Sequence, residues 1–358
     1  MRNKLIFCIV IITIITCIFF RYNKIDNLIT RDYESRYYVN DLYKSKEIYY
    51  RTILKEDEKK IYENILDAII KFKTKINLER SNNFYLDVNN LSKITDAVML
   101  DHPELFYYGY PTFKSNMNGS ITIEFNYVDS NKYDMYLSKI KNIIDDIKRA
   151  TIEMNTYDKV KYVYEYLGNK NTYGNIHSIE GQTALSAFLD ELSPVCAGYA
   201  KASEIIFRNI GVDSLLVKGD LKSGFFVGDS HLWNLVKIGN YYYVYDVTQS
   251  SITKSISNNI SYVGLLSMKK SDYSYSYKEV IPFIRYNMNY YDMNNLSYTY
   301  KNSNINELNK ILNTNKKYVE VKVKNIDALY LNFNKIKKST KIIKSWRFND
   351  IILFEKGD

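Results

Sequence analysis

Two short strand-like runs separated by Gly239-Asn240 constrain the fold of this chain more than any other feature. The runs are Leu232–Ile238 and Tyr241–Tyr245, and both are rich in β-branched and aromatic residues. A Gly-Asn pair between two such runs predicts a two-residue β-hairpin loop. With that loop Ile238 pairs with Tyr241, which fixes the register of the whole hairpin.

The register has a consequence for two polar residues beyond the loop. Carried outward, it puts His231 opposite Thr248 and Trp233 opposite Asp246. Asp246 is then diagonal to His231 on the same face, at about 7–8 Å between Cβ atoms, which an imidazole and a carboxylate can bridge. A slip of one residue would turn Asp246 to the other face. Two further carboxylates compete for this position, Asp220 and Asp229.

Cys196 is predicted to begin a helix. Pro194 stops the chain just before it, the apolar spacing of Cys196–Asn209 is helical, and Gly211 follows as a C-cap residue. A thiol at a helix N-terminus faces unpaired backbone N–H groups, which favour the thiolate and can hold an oxyanion. The thiol, the imidazole and the carboxylate are the parts of a cysteine nucleophile with a base and an orienting group. The alternative for Cys196 is a buried structural cysteine.

Three motifs follow one another along this part of the chain. They are Pro-Val-Cys196-Ala-Gly198-Tyr199-Ala200, His231-Leu-Trp233-Asn234 and Tyr-Asp246-Val-Thr248. In order and spacing they resemble the core motifs of the transglutaminase-like superfamily, whose bacterial members carry Cys-Gly-Tyr-Ala, His-Ala-Trp-Asn and Asp-x-Thr. The resemblance covers residues 155–270. His-Pro-Glu-Leu-Phe at 102–106 also resembles a segment upstream of this domain in secreted or membrane-anchored Firmicute members.

The resemblance implies an α+β, papain-like core in which the helix carrying Cys196 packs on an antiparallel sheet carrying His231 and Asp246. It also implies that these residues act as nucleophile, base and orienter in acyl transfer. In that chemistry the thiolate attacks an amide carbonyl, and water or a lysine amine resolves the thioester. Leu232 replaces the usual Ala, which is conservative. Gln249 replaces a usual Trp, which puts substrate-side contacts in doubt.

Two further residues are candidates for supporting roles. Gln182 is a candidate second oxyanion donor, with a helix cap or surface position as the alternative. Trp233 is a candidate shield of the acyl-enzyme against water, with a core position as the alternative. His102, just before a proline, is interpreted as a turn residue, and His177 as a solvent-facing loop residue. Since no metal-ligand cluster and no phosphate loop is visible, no metal and no cofactor are expected.

The composition indicates an ordinary globular protein, with 46% hydrophobic and 25% charged residues. The formal charge of +9 fits an anionic cell-surface environment. Nucleic acid is not an expected partner, because no compact basic run with interleaved aromatic residues is present.

The first residues predict an export or anchor signal. Arg2 and Lys4 precede the uncharged apolar run Leu5–Phe20, which contains Cys8 and Cys17. Cys196 is therefore the one cysteine in the rest of the sequence, so that part has no internal disulfide. The run ends without the small residues that a cleavage site needs. We therefore expect an uncleaved single-pass anchor at 1–24 with the bulk of the chain outside the cytoplasm, or alternatively a secreted protein after cleavage.

The predicted organisation places the core between two further regions. Residues 25–154 form a mostly helical N-terminal region with a short β element, 155–285 the transglutaminase-like catalytic domain, and 286–358 a small C-terminal α/β module. The predicted elements outside the core include helices at Ser45–Asn77, Asn89–Leu100, Met135–Met154 and Ile326–Phe333, and strands at Ile121–Val128 and Lys344–Phe354.

These observations favour one function over two others. The favoured one is a membrane-anchored, extracytoplasmic cysteine enzyme that hydrolyses amide bonds of proteins or peptides at the cell surface. Hydrolysis is preferred because bacterial members of the superfamily often resemble proteases. The alternatives are a protein-crosslinking transglutaminase and a non-catalytic surface module that keeps the fold for binding or for cell morphogenesis.

Overall fold

The computed structural model describes residues 42, 49–79, 87–222, 228–301 and 305–357. Its helices are α1 (Tyr49–Thr52), α2 (Glu56–Ile70), α3 (Val88–Asp101), α4 (Tyr133–Thr151), α5 (Thr156–Lys170), α6 (Leu185–Phe188), α7 (Cys196–Ile210), α8 (Lys254–Ser257), α9 (Tyr290–Met293), α10 (Ile305–Leu312), α11 (Ile326–Leu331) and α12 (Phe333–Ser339). Its strands are β1 (Lys75–Leu78), β2 (Thr112–Ser115), β3 (Ile121–Glu124), β4 (Ser214–Leu221), β5 (Gly228–Ile238), β6 (Tyr241–Tyr245), β7 (Ser297–Thr299), β8 (Tyr318–Lys324), β9 (Ile342–Phe348) and β10 (Ile351–Lys356).

The centre of the molecule is helix α7 packed on the antiparallel sheet β4-β5-β6. The side chain of Asn234 on β5 donates hydrogen bonds to the carbonyl of Ala200, at 3.1 Å, and to Glu204, at 3.0 Å. The ring of Phe207 meets that of Tyr245 edge-on at 4.9 Å between centroids. The fold is therefore α+β with the cysteine-bearing helix on an antiparallel sheet, as the sequence predicts.

The hairpin register is confirmed. Strands β5 and β6 pair from Ile238↔Tyr241 out to Asn234↔Tyr245. Gly239, in the loop, has φ +61°, a left-handed conformation that glycine adopts without steric cost. Strand β5 begins at Gly228, four residues before the predicted start, because its first half pairs with β4. This extension places His231 inside the sheet.

Helix α7 has the predicted bounds within one residue. It begins at Cys196 itself, with Val195 in extended conformation before it, and ends at Gly211, whose φ is +73°. Gly198 in the first turn lets the helix approach its neighbours closely. A Cβ at this position would lie 2.6 Å from the carbonyl oxygen of Gly181 and 2.4 Å from the Ser186 hydroxyl. The helix start is thus pressed against the preceding loop.

The N-terminal region differs from its prediction in one helix and one strand. The helix predicted for Ser45–Asn77 is two helices, α1 and α2, and its last residues form strand β1 instead. Strand β1 pairs with β3, which is also shorter than predicted, in a small sheet of order β1-β3-β2. The pairing partner is more than forty residues away in sequence, so local periodicity does not reveal it.

The C-terminal part contains a four-stranded sheet of order β7-β8-β10-β9 with its own cluster of buried apolar side chains. Two predicted elements are wrong in detail here. The helix predicted for Ile326–Phe333 is broken at Asn332 into α11 and α12. The strand predicted for Lys344–Phe354 is the hairpin β9-β10, which turns at Asn349 with φ +54°.

The predicted anchor at 1–24 lies outside the described residues. Within the ranges that the structure does describe, no helix is both long and apolar enough to cross a bilayer.

Candidate active site

Cys196, His231 and Asp246 converge in the structure. His231 and Asp246 are buried, with 5% and 1% of their surfaces exposed, whereas Cys196 is half-buried. Nε2 of His231 lies 2.8 Å from Oδ2 of Asp246. The His231 side chain also hydrogen-bonds the Cys196 sulfur. Because Nε2 is engaged by Asp246, Nδ1 is the nitrogen that serves the thiol.

Asp246 lies just past the end of strand β6 and caps the 3₁₀ turn Val247–Ile252. Its Oδ1 accepts the backbone N–H of Thr248 at 3.2 Å. Its own N–H donates to the carbonyl of Gly264 at 2.9 Å. A Cβ on Gly264 would lie 1.9 Å from the Asp246 carbonyl oxygen. The backbone around Asp246 is therefore fixed on both sides.

Two further residues hold the Asp246 carboxylate: Tyr273, which the sequence reasoning missed, and Gln249, whose contact with the carboxylate it did not predict. The Tyr273 hydroxyl donates to Oδ2 at 2.9 Å, and the Gln249 amide donates to the same oxygen at 3.1 Å. Gln249 is fully buried. The replacement of the usual Trp by Gln249, which the sequence analysis connects with substrate-side contacts rather than with the three catalytic candidates, therefore affects the support of Asp246.

The electrostatics of the three groups favour a charged pair. Burial opposes the thiolate of Cys196, but the hydrogen bond and charge of His231 and the N–H of Leu232 lower the thiol pKa below its usual value. Burial likewise opposes the imidazolium, yet Asp246 and Cys196 raise the pKa of His231 to about 10. The pKa of Asp246 is lowered, since His231, Gln249 and Tyr273 outweigh its burial. These shifts favour a thiolate paired with an imidazolium over a neutral thiol and imidazole.

Tyr173 is a second residue that the sequence reasoning missed. Its hydroxyl hydrogen-bonds both the backbone N–H and the sulfur of Cys196. The next residue, Gly174, donates its N–H to the Pro194 carbonyl at 2.9 Å, and a Cβ there would lie 2.2 Å from the Ser193 carbonyl oxygen. Tyr173 is thus held beside the helix start, where a substrate carbonyl oxygen would bind.

The structure places the other sequence candidates as follows. Trp233 is 1% exposed and stacks on Tyr273 at 4.4 Å, with the His231 ring 5.8 Å away. It therefore lies in the core, next to the histidine. Gln182 is half-buried in the 3₁₀ turn Glu180–Gln182, and its backbone carbonyl accepts from Lys201 at 3.1 Å. An oxyanion role for the Gln182 side chain stays a prediction.

The other two histidines have different surroundings. His102 is buried, and its Nδ1 lies 2.7 Å from Glu104 in the turn after α3. His177 is exposed in the loop before α6. In the described ranges, no group of three or more His, Cys, Asp or Glu side chains is arranged to hold a metal ion.

The comparisons with known proteins agree with the sequence motifs. Residues 145–247 match the family model of the Transglutaminase-like superfamily. This match and the three converging side chains support a cysteine enzyme. A search of curated proteins finds no match.

Three solved structures are similar to part of the chain. The first is that of a candidate cysteine protease from Cytophaga hutchinsonii, with 12% identity, a TM-score of 0.27 and coverage of 39% of this chain and 62% of that one. The second is a TGase, with 17% identity, a TM-score of 0.28 and coverage of 49% of this chain and 50% of that one. The third is the periplasmic domain of TgpA from Pseudomonas aeruginosa, with 15% identity, a TM-score of 0.27 and coverage of 38% of this chain and 55% of that one. The chain spans less than two thirds of the length of each of them.

The lowered thiol pKa predicts how Cys196 reacts with pH. The thiolate is present above the pKa of the folded protein, so we expect alkylation by iodoacetamide to stay fast well below pH 8.5, the usual midpoint of a free thiol. Peptide mass spectrometry of the segment carrying Cys196 measures the rate. His231→Ala removes the first source of the lowering and is expected to return the midpoint toward about 8.5. An ordinary midpoint in the unsubstituted protein would contradict the charged pair.

Proposed function

We propose that this chain, whose residues 145–247 match the family model of the Transglutaminase-like superfamily, is an acyl-transfer enzyme that hydrolyses amide bonds of peptides or proteins through a thioester at Cys196. The observation that carries the proposal is the hydrogen-bonded series from Cys196 through His231 to Asp246, with its charged pair. A domain that only binds a ligand does not require a thiol with a lowered pKa. It also does not require Cys196, His231 and Asp246 to lie together in a site where burial disfavours their charges.

The first step is attack of the Cys196 thiolate on the amide carbonyl carbon, which forms a C–S bond and moves an electron pair to the oxygen. In the free protein the backbone N–H of Cys196 bonds the Tyr173 hydroxyl, and both groups would turn to the oxyanion when it forms. The C–N bond then breaks, and the imidazolium of His231 gives its proton to the leaving amine. Asp246 keeps the ring in the orientation that presents Nδ1 to the thiol.

In the second step the now neutral His231 takes a proton from water, and the resulting hydroxide attacks the thioester. The C–S bond breaks, Cys196 leaves as thiolate, and the acyl group leaves as a carboxylic acid. The cycle restores the imidazolium and the thiolate. A lysine amine in place of water would give an isopeptide bond, which is the crosslinking alternative.

The proposed location rests on the sequence alone. The charged start and the apolar run Leu5–Phe20 support a single-pass anchor with the enzyme on the outer side of the membrane. A substrate at the cell surface fits this location, and secretion after cleavage is the alternative.

The test of the function follows where the acyl group goes. The full chain is incubated with a casein digest in ¹⁸O-water, with and without a primary amine, and the products are read by mass spectrometry. Hydrolysis predicts ¹⁸O in newly formed carboxylates, and the Cys196→Ala protein should form none. Products that carry the amine in place of ¹⁸O would favour crosslinking. No Cys196-dependent product of either kind would contradict the proposal.

A further inference from the structure

The loop between α5 and α6 begins and ends beside the start of the active-site helix. The N–H of Gly174 donates to the carbonyl of Pro194 at 2.9 Å, and the N–H of Val195 donates to the carbonyl of Gly181 at 3.0 Å. Pro194 and Val195 are the last two residues before the nucleophile. Both ends of the loop are therefore held against the backbone that leads into the active site.

The polar side chains of this loop form hydrogen bonds within the loop itself. The Asn175 side chain accepts the N–H of His177 at 2.9 Å, and the Ser178 hydroxyl accepts the N–H of Gly181 at 3.1 Å. The same hydroxyl donates to Glu180 at 2.9 Å. These local bonds stabilise the conformation of the loop and occupy its polar side chains.

Two apolar side chains of the loop, in contrast, are exposed. Ile176 is 60% exposed and Ile179 is 40% exposed. Among the exposed large apolar side chains of the described residues, no other two are so close in sequence. Ile179 packs over the backbone of Gly109, where a Cβ would lie 3.0 Å from its Cγ2. Single exposed apolar residues are common, but this pair is on a loop that is fixed beside the nucleophile.

The two isoleucines are within reach of a peptide bound at Cys196. Each lies two residues from an end of the loop, Ile176 from Gly174 and Ile179 from Gly181. Two residues of extended chain span at most about 7 Å. An extended substrate advances by about 3.3 Å per residue. A substrate side chain one or two positions from the scissile bond can therefore contact the loop.

We infer that Ile176 and Ile179 form an apolar subsite beside Cys196, which takes an apolar side chain of the substrate near the scissile amide. The contact removes apolar surface of both partners from water, and this stabilises the bound peptide. Because the loop is held at both ends, little further ordering is needed on binding.

The substrate class is then peptides that carry a large aliphatic or aromatic residue one or two positions from the bond that is cleaved. The inference rests on the proposed function for its substrate, and on the described contacts and exposed surfaces for the subsite itself.

The test compares two alkylating agents with the same reacting group. Iodoacetamide and N-hexyl iodoacetamide are each attacked at the CH₂ group by the Cys196 thiolate, which forms a C–S bond and releases iodide. In the full chain we expect Ile176→Ser to lower the ratio of the N-hexyl rate to the iodoacetamide rate by about threefold to tenfold. Ile179→Ser should lower it by a similar factor, and Ile176→Leu should keep it. The ratio cancels any change in the reactivity of the thiol.

Ile152→Ser and Ile343→Ser are the matched controls, because these isoleucines are 73% and 42% exposed but belong to other elements. His177→Ala is a control within the loop, since its exposed side chain is polar and is not part of the subsite. All three variants should keep the ratio of the unsubstituted protein. Each substitution is at an exposed position, so the variants are expected to fold.

An unchanged ratio in both Ile176→Ser and Ile179→Ser would overturn the subsite, and so would an equal fall in Ile152→Ser. Alkylation needs a reactive thiol but no turnover. A ratio that depends on the two isoleucines without any peptide hydrolysis would therefore support the subsite and contradict the proposed function. Hydrolysis with an unchanged ratio would do the reverse.

Discussion

Replacing Cys196 by alanine is expected to lower the rate of amide hydrolysis by at least about 10³-fold, because the nucleophile of the first step is lost. Cys196→Ser should lose as much. A serine hydroxyl keeps the position at the helix start, but it does not ionise at neutral pH as the thiol does. The comparison of the two variants therefore separates the chemistry of the sulfur from its shape. The measurement is kcat/KM on a peptide found in the ¹⁸O experiment.

The controls for this prediction concern folding and surface histidines. Both Cys196 variants should keep a cooperative thermal transition close to that of the unsubstituted protein, since the thiol is only half-buried. His177→Ala changes an exposed imidazole and should leave the rate unchanged. Full activity in a folded Cys196→Ala protein would remove the cysteine from the mechanism.

Asp246→Asn is expected to reduce kcat/KM by about 10²–10⁴-fold. All the described contacts of the carboxylate are donors to it. Oδ2 accepts from His231, Gln249 and Tyr273, and Oδ1 accepts from the N–H of Thr248. An asparagine amide must turn its NH₂ group toward one of these donors in either orientation. The imidazole then loses its orientation or its partner, and the imidazolium loses the negative charge that stabilises it.

The pH dependence distinguishes this loss from simple unfolding. Without the Asp246 charge the pKa of His231 should fall from about 10, so the imidazolium that protonates the leaving amine is lost at lower pH. The basic limb of the pH–rate profile is therefore expected to move to lower pH in Asp246→Asn. Asp220→Asn is the matched control, because Asp220 lies on the neighbouring strand and bonds Ser274 and Ser230 instead. An unchanged profile in Asp246→Asn would contradict the role of the carboxylate.

The centre of the site could be predicted because its determinants are local. A two-residue loop fixes the register of β5 and β6, and the register brings His231 and Asp246 to one face. The helix start at Cys196 follows from Pro194 and the apolar spacing after it. The strand itself ends at Tyr245, and Asp246 reaches the histidine from the turn that follows. The contact between His231 and Asp246 was therefore predictable, whereas the position of Asp246 in the turn after the strand was not.

The supports of the site depend on distant parts of the chain. Tyr273 meets Asp246 across 27 positions of sequence, and nothing in its own neighbourhood marks it among 36 tyrosines. Tyr173 likewise depends on the contact of Gly174 with Pro194. Gln249 was noticed as a departure from the family motif, but its orientation was not predictable, since a residue in the turn after the strand can face either the core or the substrate.

The misassigned elements have a similar explanation. Strand β1 is four residues long and begins at Lys75, close after the helix that ends at Ile70, so its periodicity is too short to separate from the helical pattern. Its partner β3 decides the outcome. The pattern predicts one strand in place of the hairpin β9-β10 because Asn349-Asp350 lies between two strand-like runs, Lys344–Phe348 and Ile351–Phe354. An asparagine that adopts positive φ is, however, a turn signal in its own right.

The contacts around the active-site helix extend beyond the residues that match the superfamily. The match to the superfamily spans residues 145–247. Yet Tyr273 completes the carboxylate from beyond that span, and the segment at 101–110 supplies carbonyls to Lys201 and Arg208 from before it. A fragment excised at the limits of the match would carry the nucleophile and the histidine but would expose these cations to water. The part of the chain that must fold together around Cys196 is therefore larger than the part that matches the superfamily.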